Sequence, residues 1–134
     1  MREEIPNVLF ASSRPGYRAR RVEEAVVAEW AARAKRHKIA TIMCLLDDSQ
    51  LIYYLSVADG LLAYYRRECF LVISHPVKDH CIPAVPPEVL NKAYADFLRA
   101  PKPLLVHCSA GVDRTGAVIR FIKDKLARGT NGSL

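Results

Sequence analysis

In His107-Cys108-Ser109-Ala110-Gly111-Val112-Asp113-Arg114-Thr115-Gly116, five residues separate a cysteine from an arginine–threonine pair, between an apolar strand-like run and a helix-like one. A cysteine where a strand ends and a tight turn enters a helix meets converging backbone N–H groups and the positive end of the helix dipole. Such a place binds a dianion and favours the thiolate over the thiol, which makes Cys108 a candidate nucleophile. Arg114 can fold its fork across the loop mouth and hold two oxygens of a phosphoryl group, a grip lysine cannot reproduce. Ser109, Ala110, Gly111, Val112 and Asp113 offer backbone N–H groups as an anion nest, and Gly111 relieves crowding in the turn. The Thr115 hydroxyl is placed to donate to the cysteine sulfur as that sulfur leaves a phosphocysteine. The plainer alternative makes Cys108 a buried core residue and Arg114 a solvated one. A motif in which every position has a mechanistic use argues against it.

Attack on a phosphate ester expels an oxygen that must be protonated, so a general acid is needed. The segment from Ile73 to Pro83 has the form for it: an apolar run breaks at Pro76, and turn residues follow without helical periodicity. Asp79 therefore lies on a loop at a strand's end as the candidate acid, against the alternative that it only caps a turn. Lys78 and His80 flank it and can add positive charge to a pocket rim, or be ordinary exposed loop residues. A metal centre is not expected, because His107-Cys108 and His80-Cys81 lack the paired spacing of zinc sites. The chemistry expected from these residues calls for no cofactor.

These residues need a scaffold, and the chain alternates strand and helix signals. Strands are expected over residues 7–12, 39–46, 70–73 and 104–107. An amphipathic helix is expected over 21–37, with Val22, Val26, Trp30 and Ala34 at intervals of four. A weaker helix over 56–67 contains Gly60. Pro87 opens a helix striped by Leu90, Ala93, Tyr94, Phe97 and Leu98 and ended by Pro101, and a last helix covers 117–126. The pattern predicts one α/β domain over residues 1–134, with a mostly parallel central sheet of four to five strands, helices on both faces and a frayed tail over 129–134. Ligands then bind at the carboxyl ends of the strands, where Asp79 and Cys108 both fall.

Composition agrees. The 134 residues, 51% hydrophobic, make one compact domain, and a net charge of +6 favours an anionic partner. Nucleic acid is disfavoured as that partner, because the basic groups around Arg14 to Arg21 and Lys35 to Lys38 are not interleaved with aromatics; most of them read as a solvated helix face. The charged start, Met1 to Pro6, and the absence of any run able to span a bilayer read as a cytoplasmic protein. Four irregularly spaced cysteines argue against a disulfide framework.

His-Cys, five residues, Arg, Thr resembles the signature of the cysteine-dependent protein tyrosine and dual-specificity phosphatase superfamily. The resemblance extends to the Arg14-Pro15-Gly16 turn, the strand ending at Leu46-Asp47 and the acid loop. It implies a three-layer phosphatase domain whose general acid precedes the cysteine by roughly thirty residues, as Asp79 nearly does. The implied activity is hydrolysis of phosphate monoesters through a phosphocysteine, first on phosphotyrosine or phosphoserine/threonine proteins. Phosphoinositides or other non-protein phosphates, RNA 5′-phosphate among them, are the alternative, and Asp113 before the arginine recurs in relatives that act on phosphoinositides. A non-catalytic phosphate-binding module is the second alternative. The order of acid before nucleophile disfavours the low-molecular-weight class. Similarity to the tensin-type lipid phosphatases also makes Cys44 a candidate resolving thiol for an oxidised Cys108, against the plainer reading of a small core residue.

Overall fold

The structure is a computed structural model and describes residues 1–129. The tail expected over 129–134 lies outside the described residues except for Gly129, which closes the last helix. A five-stranded sheet runs in the order β1-β2-β5-β3-β4, from strands β1 (Arg2–Ile5), β2 (Leu9–Ser12), β3 (Thr41–Cys44), β4 (Leu71–Ser74) and β5 (Leu104–His107). The last four are mutually parallel, and β1 pairs antiparallel with β2. Helices α1 (Glu24–Arg36), α2 (Asp48–Leu51), α3 (Leu61–Arg67), α4 (Pro87–Arg99) and α5 (Asp113–Gly129) complete a single α/β domain, as expected.

Strands β2, β3 and β5 are buried along their whole length, which fits their mostly apolar composition. On one face Trp30, Ile42, Cys44, Tyr54, Tyr65 and Leu105 form a core beneath α1 and α3. On the other Met43, Phe97, Val106, Cys108, Val118 and Ile122 pack beneath α4 and α5.

Helices α1 and α4 follow most directly from their sequences. In α1 the buried stripe is Val27, Trp30, Ala31 and Ala34, the i, i+3, i+4, i+7 spacing, with Arg33, Lys35 and Arg36 in the last turn where the dipole favours cations. Val26 is 42% exposed rather than part of the stripe, because steps of four drift around a helix of 3.6 residues per turn. Pro87 at the first turn of α4 matches its expected start. The helix expected from residue 56 begins only at Leu61, after Gly60 with φ +88°. Residues 48–54 instead form α2 and a 3-10 turn, started by Asp47, whose carboxylate accepts the Gln50 N–H at 3.2 Å.

The parallel pairing has one consequence that matters most. Ser12, His107, Cys44 and Ser74 lie in one register across the sheet, so the chain leaves four strands along the same edge. The segments after β2, β5, β3 and β4 converge there, with β5 inserted between β2 and β3 as in other open α/β sheets that bind ligands at a reversal of strand order.

Candidate active site

The chain leaves β5 at His107, turns through Cys108 to Val112 and enters α5 at Asp113. The helix thus starts four residues ahead of the expected 117, inside the motif, and Gly116 N–H closes an early turn onto Val112 O at 2.7 Å. Gly111 has φ +77°, and a Cβ there would lie 2.5 Å from the Ser12 carbonyl oxygen. Only glycine lets the turn lie against the end of β2. Gly116 makes no comparable approach: a Cβ there would meet only the movable end of Arg120, at 3.1 Å. Arg2 Nη2 donates to Gly111 O at 2.7 Å, which ties the turn to β1.

Beneath the turn, His107 is fully buried. Its Nδ1 donates to Cys108 O at 3.0 Å, and Tyr65 O–H donates to its Nε2 at 2.9 Å. Burial lowers the imidazole's pKa to about 4, so the ring is neutral and one proton arrangement satisfies both bonds. Burial also holds the Tyr65 phenol well above its ordinary range, keeping it a donor.

Cys108 is 2% exposed and lines a cavity of about 230 Å³ with Tyr17, Asp79, Ser109, Asp113 and Arg114. Arg114 is 1% exposed. Its Nη1 donates to Leu45 O at 3.3 Å, Gln50 Oε1 at 2.8 Å and Val77 O at 2.8 Å. Its Nη2 lies 3.2 Å from Asp79 Oδ2. Its Nε, fully buried, has no partner among the described residues. An unsatisfied buried guanidinium N–H is costly unless an acceptor arrives, and an anion in the cavity is such an acceptor.

The motif residues are therefore brought together with Asp79, which closes the cavity from the loop after β4. Val112 is 61% exposed, and it lines a neighbouring cleft with Ile82 and Arg120. Thr115 Oγ1 is buried and hydrogen bonds to nothing among the described residues, so the expected donation to the Cys108 sulfur is not formed. Cys44 ends β3 in register with His107, as a neighbour of the β5 end should. It packs, however, in the core of the opposite sheet face from Cys108, and burial pushes its pKa up to about 12. The two thiols pack in different core clusters but lie near enough for Cys108 to add to the rise in the Cys44 pKa.

Three side chains of the site escaped the sequence reading. Arg14, grouped there with mostly solvated cations, is 3% exposed. Its Nε donates to Ser109 Oγ at 3.2 Å and its Nη2 to Ala19 O at 2.6 Å, while its guanidinium stacks 4.7 Å from the Tyr53 ring centre. Tyr54 O–H donates to Pro15 O at 2.6 Å and receives Arg14 Nη1 at 3.2 Å. Gln50 joins Arg114 to Asp79 through both ends of its amide. An arginine before Pro-Gly was the only available signal for Arg14, and nothing local distinguishes Gln50. Beside the cavity, and sharing Tyr17, Asp79, His80 and Ser109 with it, lies a basin of about 540 Å³ whose walls include Arg18, Arg20 and Lys78. None of these three cations pairs with a carboxylate among the described residues.

A thiol at the end of a central parallel strand, a turn of backbone amides and an arginine on the following helix form the arrangement that the resemblance to the cysteine-dependent phosphatases implies. The resemblance read from the sequence is borne out, since the model of the tyrosine phosphatase family matches residues 80–126. That match starts one residue after Asp79 and runs through most of α5. Among solved structures, the chain is similar to the core catalytic domain of the PP-IP phosphatase SIW14 from S. cerevisiae, determined in complex with citrate. The similarity has a TM-score of 0.60 at 20% identity and covers 92% of this chain, which spans 66% of that domain. No curated protein matches the sequence. Among the described residues no helix is long and apolar enough to cross a membrane.

Proposed function

We propose that the chain hydrolyses phosphate monoesters through a phosphocysteine. The observation that carries this reading is the 230 Å³ cavity that Cys108, Asp79 and Arg114 share, with a buried, unpartnered Arg114 N–H. The Cys108 thiolate attacks phosphorus, the P–O bond to the leaving group breaks, and Asp79, which takes up a proton once phosphate replaces it on Arg114 Nη2, gives that proton to the departing oxygen. Arg114, through Nε and Nη2, and the backbone N–H groups of 109–114 hold the non-bridging oxygens. Water then attacks the phosphocysteine and yields a proton to Asp79, the S–P bond breaks, and inorganic phosphate and the thiolate are restored. Thr115, whose buried hydroxyl has no partner among the described residues, is the candidate to assist the sulfur's departure. A thiolate nucleophile suits a reducing compartment such as the cytoplasm.

A small, multiply phosphorylated substrate is favoured over a phosphoprotein. Arg18, Arg20 and Lys78, all exposed and with no carboxylate partner among the described residues, border the basin beside the cavity, as a second and third phosphate would require. The similar yeast domain is itself a PP-IP phosphatase. Phosphotyrosine and phosphothreonine proteins are the second reading, supported by the family match. Phosphate release from para-nitrophenyl phosphate by the wild type and Cys108→Ser tests the chemistry, and a non-catalytic module would show no difference. A panel of phosphotyrosine peptide, phosphothreonine peptide, inositol polyphosphate, phosphoinositide and RNA 5′-triphosphate then tests the substrate. Highest kcat/KM on a phosphopeptide would overturn the preference.

A further inference from the structure

Gln50 is 8% exposed on the short helix α2, and its amide serves two segments at once. Its Oε1 accepts from Arg114 Nη1 at 2.8 Å, and its Nε2 donates to Asp79 Oδ2 at 3.3 Å. A guanidinium only donates, so the amide oxygen must face Arg114 and its NH₂ must turn to Asp79. The residue is itself anchored, because its backbone N–H is held by the Asp47 cap.

Substrate binding changes the partners of Arg114. Nη1 is already committed to Leu45 O, Val77 O and Gln50 Oε1, which sets the plane of the fork. The donors left for a phosphoryl group are Nε, which is free, and Nη2, which now faces Asp79. A two-toothed grip through Nε and Nη2 takes Nη2 from the carboxylate. Besides the Gln50 amide, Asp79 would then keep only the adjacent His80 N–H on Oδ1 and the exposed His80 ring 3.7 Å from Oδ2, both within its own loop. The Gln50 NH₂ is the donor on Oδ2 that a phosphate does not claim.

We propose that Gln50 is a positioning residue that fixes the Arg114 fork for phosphate and keeps Asp79 over the cavity while the fork changes partner. The proposal rests on the phosphatase reading above. Its test compares turnover of phenyl phosphate, a poor leaving group, with para-nitrophenyl phosphate, a good one, in Gln50→Leu and Gln50→Glu, each alone and combined with Asp79→Asn. Vanadate inhibition reports the clamp. Gln50→Leu should weaken vanadate and lower the phenyl-to-nitrophenyl rate ratio roughly tenfold, the worth of one hydrogen bond to a charged group. In the Asp79→Asn background Gln50→Leu should leave that ratio unchanged, because the acid it steers is gone. Gln50→Glu keeps an acceptor for Arg114 but loses the donor to Asp79, so it should fold and still show the lowered ratio. If Gln50→Leu does not fold, the Glu variant carries the test. A wild-type ratio in either single variant, or an equal ratio loss with and without Asp79, would overturn the proposal. A wild type that hydrolyses neither ester would overturn the phosphatase reading instead.

Discussion

Asp79 Oδ2 stands 3.2 Å from Arg114 Nη2, so the acid and the phosphate clamp assigned here are an ion pair before substrate arrives. The arginine side chain is 2% exposed and the carboxylate 28%, and the pair therefore sits at the mouth of the cavity, buried on one side only. Substrate and acid compete for one edge of a guanidinium.

Removing the carboxylate charge relieves that competition. Asp79→Asn should slow phenyl phosphate by about 10²-fold or more and para-nitrophenyl phosphate far less. It should bind vanadate no more weakly than the wild type, and the basic limb of its pH–rate profile should flatten. Equal slowing of both esters would show that Asp79 only positions the substrate.

Cys108→Ser should drop turnover below detection, a fall of about 10⁴-fold or more, while calorimetry still detects vanadate or phosphate. The anion nest is built of backbone and survives the change. Arg114→Ala should lose both turnover and binding. It should also lower the melting temperature, because Leu45 O, Val77 O and Gln50 lose a buried donor.

The neutral, buried His107 sets an acid limit on stability. Its pKa is lowered from 6.5 unfolded to about 4 folded, so the unfolded chain binds the extra proton. The stability is complete above about pH 6.5 and is lost as pH falls towards 4, by roughly 3 kcal/mol in total. Denaturant titrations between pH 8 and pH 4 should show this slope, and His107→Gln, which cannot titrate, should flatten it.

Gly111→Ala places a methyl group 2.5 Å from the Ser12 oxygen and forces alanine to φ +77°. The substitution should cost about 2 kcal/mol or more and displace the turn. Melting temperature and vanadate affinity should fall together. A fall in melting temperature alone would mean that the turn tolerates the shift.

Arg18→Ala, Arg20→Ala and Lys78→Ala, combined, should leave para-nitrophenyl phosphate turnover within about twofold and lower kcat/KM on an inositol polyphosphate by roughly tenfold or more. Raising salt should reproduce that selective loss in the wild type. Equal effects on both substrates would remove the basin from substrate recognition.

The placement of the candidate site was legible in the sequence wherever it was local. The motif, the acid loop and the strand of residues 104–107 depend on neighbours in the chain, and the structure has each of them at the carboxyl edge of the sheet. Strand β1 escaped because Arg2, Glu3 and Glu4 are charged and the strand is an outer one, paired on one side only. Arg14 and Gln50 escaped for another reason: polar residues in short loops look solvated until distant segments close over them. Arg14 lies 95 positions from the Ser109 it holds, and Gln50 lies 64 from Arg114. No window along the chain contains both partners.

The bond from Arg2 to Gly111 spans 109 positions and makes the second residue of this chain a support of the turn that leads from Cys108 into α5. An affinity tag fused ahead of Met1 is therefore not a neutral handle, since it can pull β1, the strand that carries the brace, away from β2. Kinetic comparisons between preparations tagged at opposite ends would differ in the active site itself.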